Sequence, residues 1–449
     1  MEKIDFLFYC KNHNVYKEIA LKTKKKKIKK SKKNNKFVLF RFNSKINILF
    51  VIIIIKFISF YLIFKSFKIN KNIINNVNLF HSSNNNINNK NNQSYEIIEN
   101  YSREESLIRG RNFLDKCLQK LLINKQIFKL SNDIKITAIV PIYNDEKIIK
   151  SVIRSIQNQN MNDIEIILVN DFSKDNTLKI IEEMKIEDPR IKIINNEKNK
   201  GILYSRSIAV LEAKGKYIIN LDQDDFILDE DVFEKVYKEA ENGNFDIISF
   251  MEIYINNYNA KINEMSDGPF TYHPNNYIVR QPELTYFAFY KDEHFISNDI
   301  QIWGKLFRTE VYKNAVNLLG KERFSTYNII NEDLVGLFAI CNVAQSYKYF
   351  RKYGLFHLIN NPTTSSTKVS REHRLEMTIF FTNVIFDLSK NENKKYAAIR
   401  IIDLFDVINS LSTKNNSSVE KILKKIITSE YIDDKYKQII RKKYNRFNF

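Results

Sequence analysis

The chain has 449 residues, 44% of them hydrophobic, enough for a substantial core in roughly two to three domains. Its net charge is +19, and residues 1–46 alone carry +12, so the basic character belongs to a tail and gives no reason to expect a nucleic-acid partner. Three cysteines (Cys10, Cys117 and Cys341) with unrelated flanks exclude a disulfide framework and a structural zinc site, leaving only a pairing of Cys117 with Cys341 open.

The first segment, residues 1–45, includes Lys24-Lys25-Lys26-Lys27-Ile28-Lys29-Lys30 and reads as a solvated basic tail. Ile46 to Phe64 follows, apolar on all faces except Lys56. As a helix it would span about 28 Å, close to a bilayer core. A central Lys costs about 2.5–3.5 kcal/mol on insertion scales, which the many Ile, Leu and Phe neighbours offset at about 0.3–0.6 kcal/mol each. Residues 46–64 are therefore expected to be a transmembrane helix, with the basic tail in the cytosol and the remainder lumenal, in Golgi or ER. Residues 65–105 are Asn-rich and read as a flexible stem; the sequons at Asn92, Asn100, Asn415 and Asn416 fit a lumenal face.

From residue 106 a helical period appears (Leu107, Phe113, Leu114, Cys117, Leu121), and after it strands alternate with helices. Strands are predicted at 135–140, 164–169, 191–194, 217–221 and 245–250. Helices lie between them, marked by Ile149/Val152/Ile153/Ile156, by Leu178/Ile181/Met184, by 202–213, and by Val232/Phe233/Val236. Short apolar strands alternating with amphipathic helices imply βαβ units and a mainly parallel, Rossmann-like sheet flanked by helices. In such a sheet ligands bind beyond the carboxyl ends of the strands, which places Tyr143, Asp171 and Asp222–Asp225 on one rim. The chain has nine glycines and neither a P-loop nor a dinucleotide fingerprint. Residues 371–449 read as a C-terminal helical extension packed on residues 106–370.

The chemistry-bearing residues cluster at the strand ends. The fourth strand runs into Leu221-Asp222-Gln223-Asp224-Asp225. In an extended segment positions i and i+2 share a side, so Asp222 and Asp224 converge on one ligand. Two carboxylates with phosphate and water suit Mg2+, and Mn2+ takes the same hard oxygens. Alone, such a run is more often a solvated loop or helix cap. It keeps company, however, with Val140-Pro141-Ile142-Tyr143-Asn144, with Val169-Asn170-Asp171-Phe172-Ser173, with Asn199-Lys200-Gly201 leading to Arg206, and with Gly215-Lys216-Tyr217.

This ordered set resembles the inverting glycosyltransferases of family 2, with the GT-A fold, closely over residues 135–250 and loosely to about 368. The resemblance implies a nucleotide-sugar donor, a divalent metal, and a glycan, glycoprotein or glycolipid acceptor. It places Pro141 and Tyr143 beside the base, Asp171 as the acid that hydrogen-bonds it, and Lys200, Arg206 and Gln223 on the donor. Asp222 becomes the ribose- or metal-side acid and Asp224 the chief metal ligand. Asn170 and Phe172 depart from the family's usual acid and glycine, which points to altered donor preference. Ile302-Trp303-Gly304-Lys305-Leu306-Phe307-Arg308 resembles a second family stretch, and Asn331-Glu332-Asp333 the acceptor motif, with Asp333 as general base and Glu332 as its fallback. One-step inversion needs one carboxylate to take the acceptor proton, unlike the double displacement of retaining glycosidases. For Asp175, Thr177 and His357 the structural readings, capping or packing, are preferred. The rival from another class is a catalytically inactive sugar- or nucleotide-binding scaffold of the same fold. Within enzymes, the rival is a transferase acting on a lipid-linked acceptor at a cytosolic face.

Overall fold

The computed structural model describes residues 102–122, 128–268, 277–291, 294–295, 301–327, 332–359, 370–405, 408 and 416–445. The basic tail, the 46–64 span and the stem up to residue 101 lie outside the described residues. Among the described residues no helix is long and apolar enough to cross a membrane.

The ordered chain opens on a capping box. The Ser102 hydroxyl accepts from the Glu105 amide and the Glu105 carboxylate from the Ser102 amide, which starts helix α1 (Arg103–Leu118) a few residues before the predicted end of the stem. Then come β1 (Ile136–Ile142), α2 (Ile149–Gln157), β2 (Ile164–Asn170), α3 (Thr177–Glu187), β3 (Ile191–Asn195), α4 (Ile202–Glu212) and β4 (Tyr217–Asn220). β1 and β2 are buried along their whole length, as their unbroken apolar runs require of strands covered on both faces. Their parallel register pairs Ile142 with Asn170, and Asn170 pairs with Asn195 of β3, so the strands end level.

The second half departs from the expected parallel sheet. It comprises β5 (Phe226–Ile227), α5 (Val232–Gly243), β6 (Ile247–Ile255), β7 (Ser266–Asp267), β8 (Ile278–Arg280), α6 (Glu283–Phe289), β9 (Tyr290–Lys291), β10 (His294–Phe295) and β11 (Lys305–Arg308). These are followed by α7 (Thr309–Leu319), α8 (Lys321–Phe324), α9 (Glu332–Val343) and β12 (Ser346–Leu358). The main sheet runs β3-β2-β1-β4-β11-β6-β12-β5. β11 lies antiparallel between β4 and β6, so the sheet is mixed, with a parallel half built by βαβ units and a second half returning against it. Its four residues lie just after the Trp303-Gly304 bend. Gly304 has a left-handed φ of 68°, and a Cβ there would meet the Glu252 carboxylate at 2.6 Å.

The described C-terminal part is helical: α10 (Arg371–Leu388), α11 (Lys395–Asp403), α12 (Asn416–Thr428) and α13 (Asp434–Lys443). α10 packs on α7 and α9, and its Phe381 meets Phe289 and Phe338 edge to face or tilted. The extension thus shares one apolar core with the sheet domain. Cys117 and Cys341 are both buried and form no disulfide, so the pairing left open does not form, and burial pushes the Cys117 thiol up to about 12.

Candidate active site

The rim beyond β1, β2 and β4 is assembled by side chains that grip a neighbouring loop's backbone. The Asp171 carboxylate accepts from the amides of Lys200 and Gly201 and from Asn196 Nδ2, each at 2.8 Å. Gly201 caps α4 with φ 85°, a conformation a side chain would strain, and this turns both amides onto Asp171. Asp171, expected to face a base, is buried and has much of its accepting capacity committed to this loop. Asn170, standing where the resemblance expects an acid, donates to Asn195 Oδ1 at 2.6 Å and accepts from the Ser173 amide at 3.1 Å. The neutral side chain thus does both jobs of a turn-holding group, which an acid could not.

Tyr143 is exposed at the end of β1, and Pro141 is buried within that strand. Gln223 clamps the Tyr143 peptide from both sides: its Oε1 accepts from the amide at 2.7 Å and its Nε2 donates to the carbonyl at 3.3 Å. Gln223 therefore ties two loops together. Phe172 takes a left-handed φ of 69°, and the Lys174 ammonium sits 3.2 Å from its ring centroid, a cation–π contact. Lys200 lies over the Tyr204 ring at 5.4 Å.

The acidic run differs from expectation in one respect. β4 ends at Asn220, and residues 222–225 form a tight turn closed by the Asp225 amide on the Asp222 carbonyl at 3.1 Å, not an extended strand. Asp222 and Asp224 are partly exposed and Asp225 is buried. Asp225 receives His357 Nδ1 at 2.9 Å, and the Trp303 ring stacks on the imidazole at 4.1 Å and 13°. Burial pushes the Asp225 carboxyl up to about 7, against the pull of His357. Burial opposes the imidazolium most strongly of any single influence, but the charge and hydrogen bond of Asp225 together with the charges of Glu252 and Asp222 outweigh it and raise His357 to about 9. The sequence preferred a structural reading for His357 and placed Trp303 in a stretch resembling a family motif; it did not foresee that the two stack beside the acidic turn.

Arg206 joins the two halves. Its Nη1 donates to Asp333 Oδ1 at 2.6 Å and lies 3.5 Å from Glu332 Oε1, while Nη2 donates to Asp222 Oδ1. The sequence-predicted donor-side acid and base thus meet on one guanidinium. Burial raises Asp333, with Arg206 and, further off, Lys305 pulling the other way. Lys305, the buried Lys of the Trp303 stretch, was given no role by the sequence. Burial and then the Asp333 charge push Glu332 up to about 8 against Arg206. With its folded value above the ordinary 4.5, Glu332 contributes stability that is full below about 4.5 and is lost as pH rises through about 8. The thermal midpoint of Glu332→Gln should therefore fall less than that of the wild type between pH 5 and 9; parallel curves would sink this.

Among the described residues no group of three or more His, Cys, Asp or Glu side chains converges as a complete metal site. Asp222 and Asp224 still suit a divalent cation in donor chemistry, as hard oxygens, with phosphate and water to complete the shell. Asp145, whose Oδ2 is buried without a partner, is pushed up to about 8 by burial and then by the Asp224 charge, a local excess of negative charge that a cation would relieve.

Fold and rim together define an α/β domain of GT-A-like build, with its acid-rich site beyond the carboxyl ends of the parallel strands. Residues 137–309 match the family described as glycosyl transferase family 2. It is 32% identical over 191 residues to the uncharacterized glycosyltransferase EpsJ of Bacillus subtilis, across 42% of this chain and 51% of that protein. It is 26% identical over 270 residues to a cholesterol galactosyltransferase of Borreliella burgdorferi, across 58% and 72%. The chain therefore spans about half the length of the Bacillus relative. A solved structure, S. aureus TarS 1–349 in complex with UDP-GlcNAc, aligns with a TM-score of 0.49 at 19% identity, covering 68% of this chain and 84% of that one.

Proposed function

We propose that this chain transfers a sugar from a nucleotide-sugar donor to an acceptor hydroxyl, with inversion and with a divalent metal, Mn2+ or Mg2+. The observation that carries this reading is the single guanidinium of Arg206 holding Asp222 on the donor side and Asp333 on the acceptor side. In one displacement the acceptor oxygen bonds to the anomeric carbon. The bond from that carbon to the leaving diphosphate breaks, its electron pair leaving with the nucleotide, and the acceptor proton passes to an Asp333 carboxylate oxygen. Asp333 is the better placed base of the acidic pair because it accepts directly from Arg206 at 2.6 Å, which favours its charged form, whereas Glu332 lies 3.5 Å from that guanidinium. Asp222 and Asp224 would hold the metal, which when bound stabilises charge on the leaving diphosphate. Tyr143, Lys200 and Gln223 shape the nucleotide side.

The name of the Borreliella relative, a galactosyltransferase, supports a hexose as the transferred group. The acceptor class is a glycan, glycoprotein or glycolipid. The full chain incubated with UDP- and GDP-hexoses and Mn2+ should release nucleotide and form an inverted linkage. No turnover with any of them would favour the inactive binding scaffold. The apolar 46–64 run and the basic residues before it support a single-pass anchor with the domain lumenal. A domain protected from protease in sealed microsomes is the expected result, and digestion without detergent would overturn it.

A further inference from the structure

We propose that Arg206 is a positioning residue that sets the base carboxylate against the donor-side acid, and that it does not bind the donor; this rests on Asp333 being the base. A guanidinium is a rigid planar fork of five N–H donors, able to hold two carboxylates at a fixed separation along its two edges. Here the fork projects from α4 and joins the turn after β4, 16 residues on, to the first turn of α9, 127 residues on. The Arg206 side chain is 2% exposed, with Leu203, Tyr312 and Gly336 lining the space around it, so it offers no solvent face to a diphosphate. A Lys supplies the charge as a point and cannot span both partners.

Three measurements on the full chain test this. With the hexose donor that the wild type turns over, Arg206→Lys should lower kcat roughly 10- to 100-fold, the scale of a misplaced reacting group, with the donor KM within about twofold. Arg206→Met should lower kcat further. A raised KM with unchanged kcat in Arg206→Lys would overturn the proposal, because it would mark a donor contact. Should neither variant fold, a crystal structure of the wild type with UDP and Mn2+ reads the contact directly: Arg206 still on Asp222 or Asp333 supports the proposal, and an Nη atom on a phosphate oxygen overturns it. If the wild type turns over no donor, the catalytic reading fails, and that same crystal structure still decides whether Arg206 touches the nucleotide.

Discussion

Asp333→Asn is expected to abolish most sugar transfer, lowering kcat by about 10²- to 10⁴-fold, the usual contribution of a positioned general base. The substitution keeps the shape of the side chain and an oxygen for Arg206 to bond, but a neutral amide cannot take the acceptor proton. The expected signature is specific: kcat falls while the affinity for UDP with Mn2+ changes by less than about threefold, since Asp333 acts on the acceptor side. The Glu332→Gln variant provides the contrast. Glu332 stands 3.5 Å from Arg206, whereas Asp333 accepts from it at 2.6 Å, so the loss of Glu332 should cost far less than that of Asp333. Equal losses in the two variants, or an unimpaired Asp333→Asn, would reassign the base.

Removing divalent metal should be comparably severe. A cation on the leaving diphosphate contributes several kcal/mol of charge stabilisation, and at about 1.4 kcal/mol per tenfold its loss predicts a fall of roughly 10²- to 10³-fold or more. Chelation should silence the wild type, and added Mn2+ or Mg2+ should restore it. Asp224→Ala should resemble the chelated wild type and resist rescue at metal concentrations that suffice for the native chain. Nucleotide binding measured by calorimetry should lose its metal dependence in the variant. Full transfer in the presence of chelator would remove the metal from the mechanism.

The parallel half of the fold was legible because its strands are covered on both faces and therefore written as continuous apolar runs. β1 to β4 fall within two residues of their expected bounds. β12 was not legible. Its 13 residues carry Lys348, Arg351 and Lys352, and two of these are drawn inward by partners elsewhere in the chain: Lys348 bonds Glu239, and Lys352 reaches Asp229 and Asp231. A strand whose charges are neutralised from other elements shows no period of its own. β11 is only four residues long, and its antiparallel course follows from the Gly304 bend, which the sequence marks only as one glycine. The residue types of the site were legible for the same reason as β1 to β4: most sit where those strands end. Their pairings were not. Arg206 sits a turn inside α4, and only the packing of α7 and α9 on that helix closes it from solvent and turns it from a donor contact into a junction.

The way Asp171 grips the Lys200–Gly201 amides and Gln223 grips the Tyr143 peptide has a consequence for how such a site diversifies. Each rim loop takes its shape from a side chain on a different loop, so a loop transplanted singly from a relative arrives without its fastening and strands its neighbour's polar groups. On the proposed reading of this rim, donor preference would be inherited as a matched set of turns. Exchange of residues 136–225 as one block would keep both fastenings, and piecemeal exchange within it would break them.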